Sequence, residues 1–265
     1  MAMKIGFIGA GNMAGAIIRG MVAGGFHGSD ILVYDTDAAK MATLFEECGV
    51  CVCQSGEEAC GADAVVLAVK PQVFPALLPA LAEELHRSQP LVISIAAGKT
   101  LGYIQEQIGS GLPVVRVMPN IAAKVGEAMS AFCGNEMVRD DHRSIVRLVF
   151  EAVGEVIELE EKLFSAFSAI AGCSPAFTLL YVDALAEAGV RYGIPKQAAL
   201  KIAAQAVLGA TRLLQEGEQH PRELIDQVCS PGGTTIEGMC ALQKEGFEAA
   251  VLAAAQAAME KDRRL

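Results

Sequence analysis

The chain has 265 residues, 52% hydrophobic and only 5% aromatic, with no tryptophan and a formal net charge of -10. That length makes one large or two ordinary domains around an aliphatic, alanine-rich core. The acidic balance lacks the electrostatic footprint of a nucleic-acid binder. No apolar run is long enough to suggest a membrane-spanning helix. The first residues are broken by glycines and read as strand, turn and helix rather than as a signal peptide, so a cytoplasmic protein is expected.

Up to residue 160 the sequence alternates two kinds of segment. Strands are expected over residues 4–8, 31–34, 50–53, 64–69, 91–95, 114–118, 129–133 and 155–158. Helices are expected between most of them, over 37–47, 71–86 and 101–108. The apolar runs are continuous rather than alternating, as in a parallel sheet covered on both faces. The fold class is therefore α/β, a doubly wound Rossmann-type domain.

The first strand runs into Gly9-Ala10-Gly11-Asn12-Met13-Ala14. This is the Gly-x-Gly-x-x-Ala form of the dinucleotide fingerprint. Gly9 permits the tight turn, Gly11 lets a pyrophosphate approach the backbone, and Ala14 lets the helix sit close to the strand. The helix N-terminus then offers free N–H groups and a positive dipole end to the phosphates. The second strand ends in Asp35, placed to take the adenosine ribose hydroxyls. Three later strand ends join this edge: Ala68-Val69-Lys70-Pro71, Ser94-Ile95-Ala96-Ala97-Gly98 and Val117-Met118-Pro119-Asn120. Lys70 suits a phosphate or ribose, the small residues Ala96, Ala97 and Gly98 suit a flat ring, and Asn120 carries both a donor and an acceptor.

Eight cysteines are present, four of them crowded at Cys48, Cys51, Cys53 and Cys60. Val50-Cys51-Val52-Cys53 reads as a buried strand, and no histidine lies near. Buried apolar thiols of an intracellular protein are expected, and no metal site.

The character changes at residue 161, where a second, all-helical domain is expected to run to residue 265. Helices are expected over 162–171, 175–192, 195–215, 221–228, 235–245 and 247–261. Pro175, Pro195 and Pro221 suit first turns, and Gly193 and Gly246 suit helix ends. So many alanine-rich helices would expose a broad apolar surface, which implies packing against a second copy. Within this half stands Cys229-Ser230-Pro231-Gly232-Gly233-Thr234-Thr235-Ile236-Glu237. Thr234 and Glu237 have capping-box spacing. The N–H groups of Gly232, Gly233 and Thr234 would form a nest for a carboxylate, with the threonine hydroxyls for a second polar group. An ordinary helix–loop–helix corner has the same punctuation. His220, ahead of Pro221, reads as a cap or surface residue.

These runs, with Gly172-Cys173-Ser174-Pro175-Ala176, resemble pyrroline-5-carboxylate reductase in order along nearly the whole chain. Cys229-Ser230-Pro231-Gly232-Gly233-Thr234-Thr235-Ile236 resembles the family's signature region. The departures are Cys173, where a serine or other small residue is common, and the acidic Asp35. The resemblance implies reduction of 1-pyrroline-5-carboxylate to L-proline by NADPH or NADH. It implies dimers, often assembled into decamers, whose active site brings a cofactor edge together with helical-domain loops across the dimer. Thr235 is expected to hydrogen-bond the ring nitrogen and relay its proton. Ser174 and Ser230 are carried over with it as substrate-binding residues. Asp35 leans to NADH, whereas Thr36 suits a 2′-phosphate and Lys40 reaches one only if its helix starts early.

Two other readings have the same opening. A β-hydroxyacid dehydrogenase would need a lysine four residues after a glycine on a long helix, where Gly172 is followed by Ala176. A non-catalytic nucleotide sensor would bind cofactor and reduce nothing.

Overall fold

The computed structural model describes residues 3–264. The described chain divides into two compact units, residues 3–172 with 261–264, and residues 173–260.

The first unit begins with strand β1 (Ile5–Ile8), helix α1 (Asn12–Ala23) and strand β2 (Ile31–Tyr34). Helix α2 (Ala38–Cys48) follows, started by the Asp37 carboxylate on the Ala39 N–H and ended by Gly49 at φ +66°. Then come β3 (Cys51–Val52), a short α3 (Gly56–Ala59), β4 (Ala64–Leu67), α4 (Phe74–Ser88), β5 (Leu91–Ser94), α5 (Leu101–Ile108) and β6 (Val114–Met118). The unit closes with β7 (Ala128–Gly134), α6 (Asp140–Glu151), β8 (Gly154–Glu158) and a short α7 (Phe164–Phe167).

All eight strands form one sheet, in the order β3-β2-β1-β4-β5-β6-β7-β8. Strands β1 to β6 are parallel, so their carboxyl ends share one edge, and the order reverses between β1 and β4. That reversal is where an open sheet leaves a crevice for a ligand. Neighbouring residues of a strand face opposite sides. On β4, Ala64 and Val66 join a core with α1 and α6, while Val65 and Leu67 join another with α4 and α5.

The sheet departs from the expected one in two ways. Strand β7 runs antiparallel to β6, because residues 119–127 form only a short 3-10 turn, too little chain for a parallel crossover. Strand β3 is a two-residue edge strand with Cys51 and Val52 exposed, not the buried strand its apolar string implies. Pairing on one side only leaves that strand open to solvent. Cys53 and Cys60 are buried as expected, Cys48 is half-buried, and all eight thiols are free.

Between α7 and the next helix lies a π-helical turn, Ser168–Cys173, where the sequence implies a helix to residue 171 and a break before residue 175. The second unit contains α8 (Ser174–Arg191), α9 (Lys196–Glu216), α10 (Pro221–Val228), α11 (Thr234–Lys244) and all but the last two residues of α12 (Phe247–Asp262). The glycines at the ends of α8 and α11 do take positive φ, +93° at Gly193 and +77° at Gly246. Its buried core is small: Ala186, Ala199 and Ala203, with Val182 against them. Large apolar side chains such as Leu179, Leu180, Ile202, Leu213 and Leu252 stay more than half exposed. The stretch Glu161–Arg191 is long and apolar enough, with mean hydropathy 1.6, to cross a membrane by composition alone.

Candidate active site

The glycine turn divides its labour between two residues. Gly9 sits at φ +105°, and a Cβ there would lie 2.7 Å from the carbonyl carbon and oxygen of Ala68. Only glycine fits. Gly11 is the N-cap of α1 at φ -73°, and a Cβ there would meet no heavy atom within 4 Å. The fold does not require a glycine at Gly11 and leaves open space above its backbone. Ala14 is fully buried beneath the turn.

Asp35 ends β2 beside this turn. Its Oδ2 accepts the Ala10 N–H at 2.7 Å and its Oδ1 accepts the Asp37 N–H at 2.8 Å. The carboxylate thus braces the glycine turn against the next loop, and each oxygen keeps a lone pair for a ribose hydroxyl. Thr36 is exposed between the two acids.

A cavity of about 380 Å³ opens over the ends of β1, β4, β5 and β6. Gly11, Asn12, Met13, Ala68, Val69, Lys70, Pro71, Ala96 and Ala97, nine of the expected cofactor residues, line it. A second cavity, also about 380 Å³, adjoins on the β2 side and is lined by Ala10, Gly11, Asn12, Lys70, Arg19, Lys40 and Thr43 among others. Gly98 lies outside both, at φ +72° in the turn before α5. Asn120 also lies outside them. Its Nδ2 donates to the Ala171 carbonyl at 2.9 Å and its Oδ1 accepts the Ala122 N–H at 3.2 Å. The donor and acceptor expected for a ligand are therefore half committed to the chain itself.

Arg116 is a residue that sequence reasoning missed. It lies on β6, lines the first cavity, and its side chain is 8% exposed. Its Nη1 is 3.1 Å from Glu161 Oε1, and the guanidinium stands 4.6 Å from the centre of the Phe164 ring. The same Glu161 oxygen accepts the Leu101 N–H at 2.8 Å, at the start of α5. One carboxylate therefore ties the strand beneath the cavity to the helix beside it. The signal was available: a buried charge inside Val-Val-Arg-Val-Met needs a partner.

In the second unit the signature loop is a tight turn. The Gly233 N–H donates to the Ser230 carbonyl at 3.0 Å, with Pro231 and Gly232 between and Gly232 at φ +67°. This is type II chemistry, proline second and glycine third. Two expectations change with it. The Gly233 N–H is spent inside the turn and is not part of a nest. Gly233 also takes the N-cap of α11 without a side-chain bond, so Thr234 is the first helical residue and makes no capping box with Glu237. The turn closes one residue earlier than the Thr–Glu spacing implied. An α-helix leaves its first N–H groups without an intrahelical acceptor, here those of Thr234 and Thr235. Thr235 also lines a cavity of about 730 Å³ with Tyr181, Leu224, Val228 and Met239. Ser174 opens α8 and Ser230 is exposed. His220 caps α10, its ring accepting the Arg222 N–H.

A family model described as pyrroline-5-carboxylate reductase dimerisation matches residues 161–265, and one described as NADP oxidoreductase, coenzyme F420-dependent, matches residues 4–98. The pyrroline-5-carboxylate reductase of Synechocystis is 39% identical, with 100% of this chain and 99% of that protein covered. The chain belongs to the pyrroline-5-carboxylate reductase family. The solved structure of the Coxiella burnetii reductase superposes with a TM-score of 0.96 at 34% identity, covering 100% of this chain and 98% of that one. A Plasmodium falciparum pyrroline carboxylate reductase, solved with NADP bound, superposes with a TM-score of 0.87 at 30% identity, covering 99% and 97%. Membership of this reductase family also accounts for the small core and exposed leucines of the second unit, which lie within the region matched by the dimerisation model.

Proposed function

We propose that the chain reduces 1-pyrroline-5-carboxylate to L-proline, the last step of proline synthesis, with NADH or NADPH as reductant. Full-length similarity to reductases of that name carries the reading. The open space over Gly11 and the cavity at the strand ends fit an extended dinucleotide. When bound, the reduced nicotinamide supplies a hydride to the imine carbon, two electrons into the C=N bond, while the nitrogen keeps its proton and becomes a secondary amine.

The first unit holds the cofactor. The N–H groups at the start of α1 take the pyrophosphate and Asp35 takes the adenosine ribose, with Thr36 beside it. Lys70, Ala96, Ala97 and Gly98 border the nicotinamide half, and Asn120 uses its remaining N–H and lone pair there. The second unit holds the substrate. Its carboxylate sits on the N–H groups of Gly232, Thr234 and Thr235, at the positive end of α11. The Thr235 hydroxyl hydrogen-bonds the ring nitrogen and relays to it, before hydride transfer, the proton that the amine then keeps, with Ser174 and Ser230 completing the polar contacts. A protonated imine accepts hydride readily, so positioning rather than a strong acid is the protein's main task.

The working form is a homo-oligomer in the cytoplasm, a dimer that assembles further toward a decamer. Eight free thiols are consistent with that compartment. Sedimentation at several concentrations tests the assembly, and a monomer would contradict it. The activity itself is tested by adding the cyclic imine to protein and reduced cofactor. Loss of reduced-cofactor absorbance with matching proline formation is expected; binding of cofactor without turnover would favour the sensor reading.

A further inference from the structure

Lys40 lies in the first turn of α2 and lines the second cavity, beside Ala10 and Gly11. Its ammonium is 3.3 Å from Asp37 Oδ2. Asp37 meanwhile caps α2, its Oδ1 accepting the Ala39 N–H at 3.1 Å. Lys40 is the main reason the Asp37 carboxyl sits below the usual range. The other cations around this cavity are Arg19, which hydrogen-bonds Glu47 at 2.8 Å, and Lys70, which has no ion pair among the described residues.

A dinucleotide laid across the glycine turn brings its adenosine ribose to the end of β2. Near that end stand Asp35 and Asp37, which do not line the cavity, and Lys40, which lines it and is ion-paired with Asp37. Asp35 has a prior task, since it clamps Ala10 and the Asp37 N–H. Asp37 has none beyond the cap, which serine or asparagine performs equally well.

We propose that Asp37 sets the choice between the two cofactors: it adds negative charge beside the ribose and holds Lys40 in an ion pair, so NADH is preferred, and Lys40 is the latent partner of a 2′-phosphate. The inference rests on the dinucleotide reading of this edge. It assigns the switch to Asp37 because Asp35 also braces the glycine turn, so that its loss weakens the binding of both cofactors.

The test is direct titration of the full-length protein with NADH and with NADPH, followed by cofactor fluorescence. The forms are wild type, Asp37→Ser, Asp37→Asn, Lys40→Ala and Asp37→Ser with Lys40→Ala. Wild type is expected to bind NADH more tightly. The serine and asparagine forms are expected to shift relative affinity toward NADPH by roughly tenfold, with the shift lost when Lys40 is also removed. Raising the salt should shrink it. A wild-type preference for NADPH overturns the proposal. So does a shift of less than about twofold in both Asp37 forms, or one that survives the loss of Lys40. The titration contains no imine, so cofactor binding here, with no proline formed in the separate imine assay, would sink the reductase reading and leave this one standing. Binding of neither cofactor would sink both.

Discussion

Alanine at Gly9 and alanine at Gly11 are two residues apart and should have opposite consequences. Gly9→Ala forces a Cβ onto φ +105° and to 2.7 Å from the Ala68 backbone. The backbone conformation costs about 1–3 kcal/mol for a residue with a side chain. Crowding against a backbone that does not yield adds about 1–3 kcal/mol. Together these lower the melting temperature by on the order of 10 °C at this chain length. Gly11→Ala differs at every step. Its φ of -73° suits any residue and its Cβ meets nothing within 4 Å. Alanine is the poorer N-cap by about 0.5–1 kcal/mol, but it removes about 0.4–1 kcal/mol of unfolded-chain entropy, so stability barely moves. What suffers is the cofactor, whose pyrophosphate is held off the helix. Losing one charge-assisted hydrogen bond, about 1.5–3 kcal/mol, weakens NADH binding by about 10- to 100-fold. Thermal unfolding at fixed protein concentration and NADH titration read the two effects separately. Native-like cofactor affinity in Gly11→Ala, or native-like stability in Gly9→Ala, would refute the division of roles.

Removing the Glu161 charge with Glu161→Gln leaves the Arg116 guanidinium buried without its counter-charge. Breaking a buried pair costs about 3–5 kcal/mol, and about half that is expected here because Glu161 is 32% exposed. A double-mutant cycle with Arg116→Met checks it: additive effects would show that the pair is not coupled. Thr235→Ala should lower turnover by about 100-fold with cofactor affinity intact. Gly232→Val, at φ +67°, should weaken substrate rather than cofactor binding; a purely cofactor effect would misplace the carboxylate. Burial pushes the thiols of Cys60 and Cys133 up to about 12 and that of Cys53 to about 11, from 9.0. Unfolded thiols ionise first, so stability present below pH 9 is lost as the pH rises toward 12. The melting temperature should fall across that window, with a shallower slope in Cys133→Ala.

What could be read from the string depended on how local its cause was. The glycine fingerprint, the acid ending β2 and the strand–helix alternation follow from periodicity and turn chemistry, and they single out the strand edge proposed for the cofactor. Gly9 and Gly11 look alike in sequence and differ only in what surrounds them, the Ala68 backbone for one and open space for the other. Thr234 and Glu237 match a capping box, yet the Pro231–Gly232 turn ends at Gly233, which takes the cap itself. Cys51 and Val52 look like core residues, but burial follows from strand order, and theirs is the edge strand. The clamp of Asp35 on Ala10 and the reach of Glu161 to both Arg116 and Leu101 join residues far apart in the chain. No window of sequence contains them. The edge proposed for the cofactor was therefore legible as a place before its bracing was.

The reductase assignment is tested most directly by one reaction. Purified protein is given NADH, or NADPH, and the cyclic imine, and reduced cofactor and proline are followed together. One proline formed per reduced cofactor consumed, with the reaction absent without the imine, is the expected result. Cofactor bound and retained while the imine is left untouched would contradict the account at its centre.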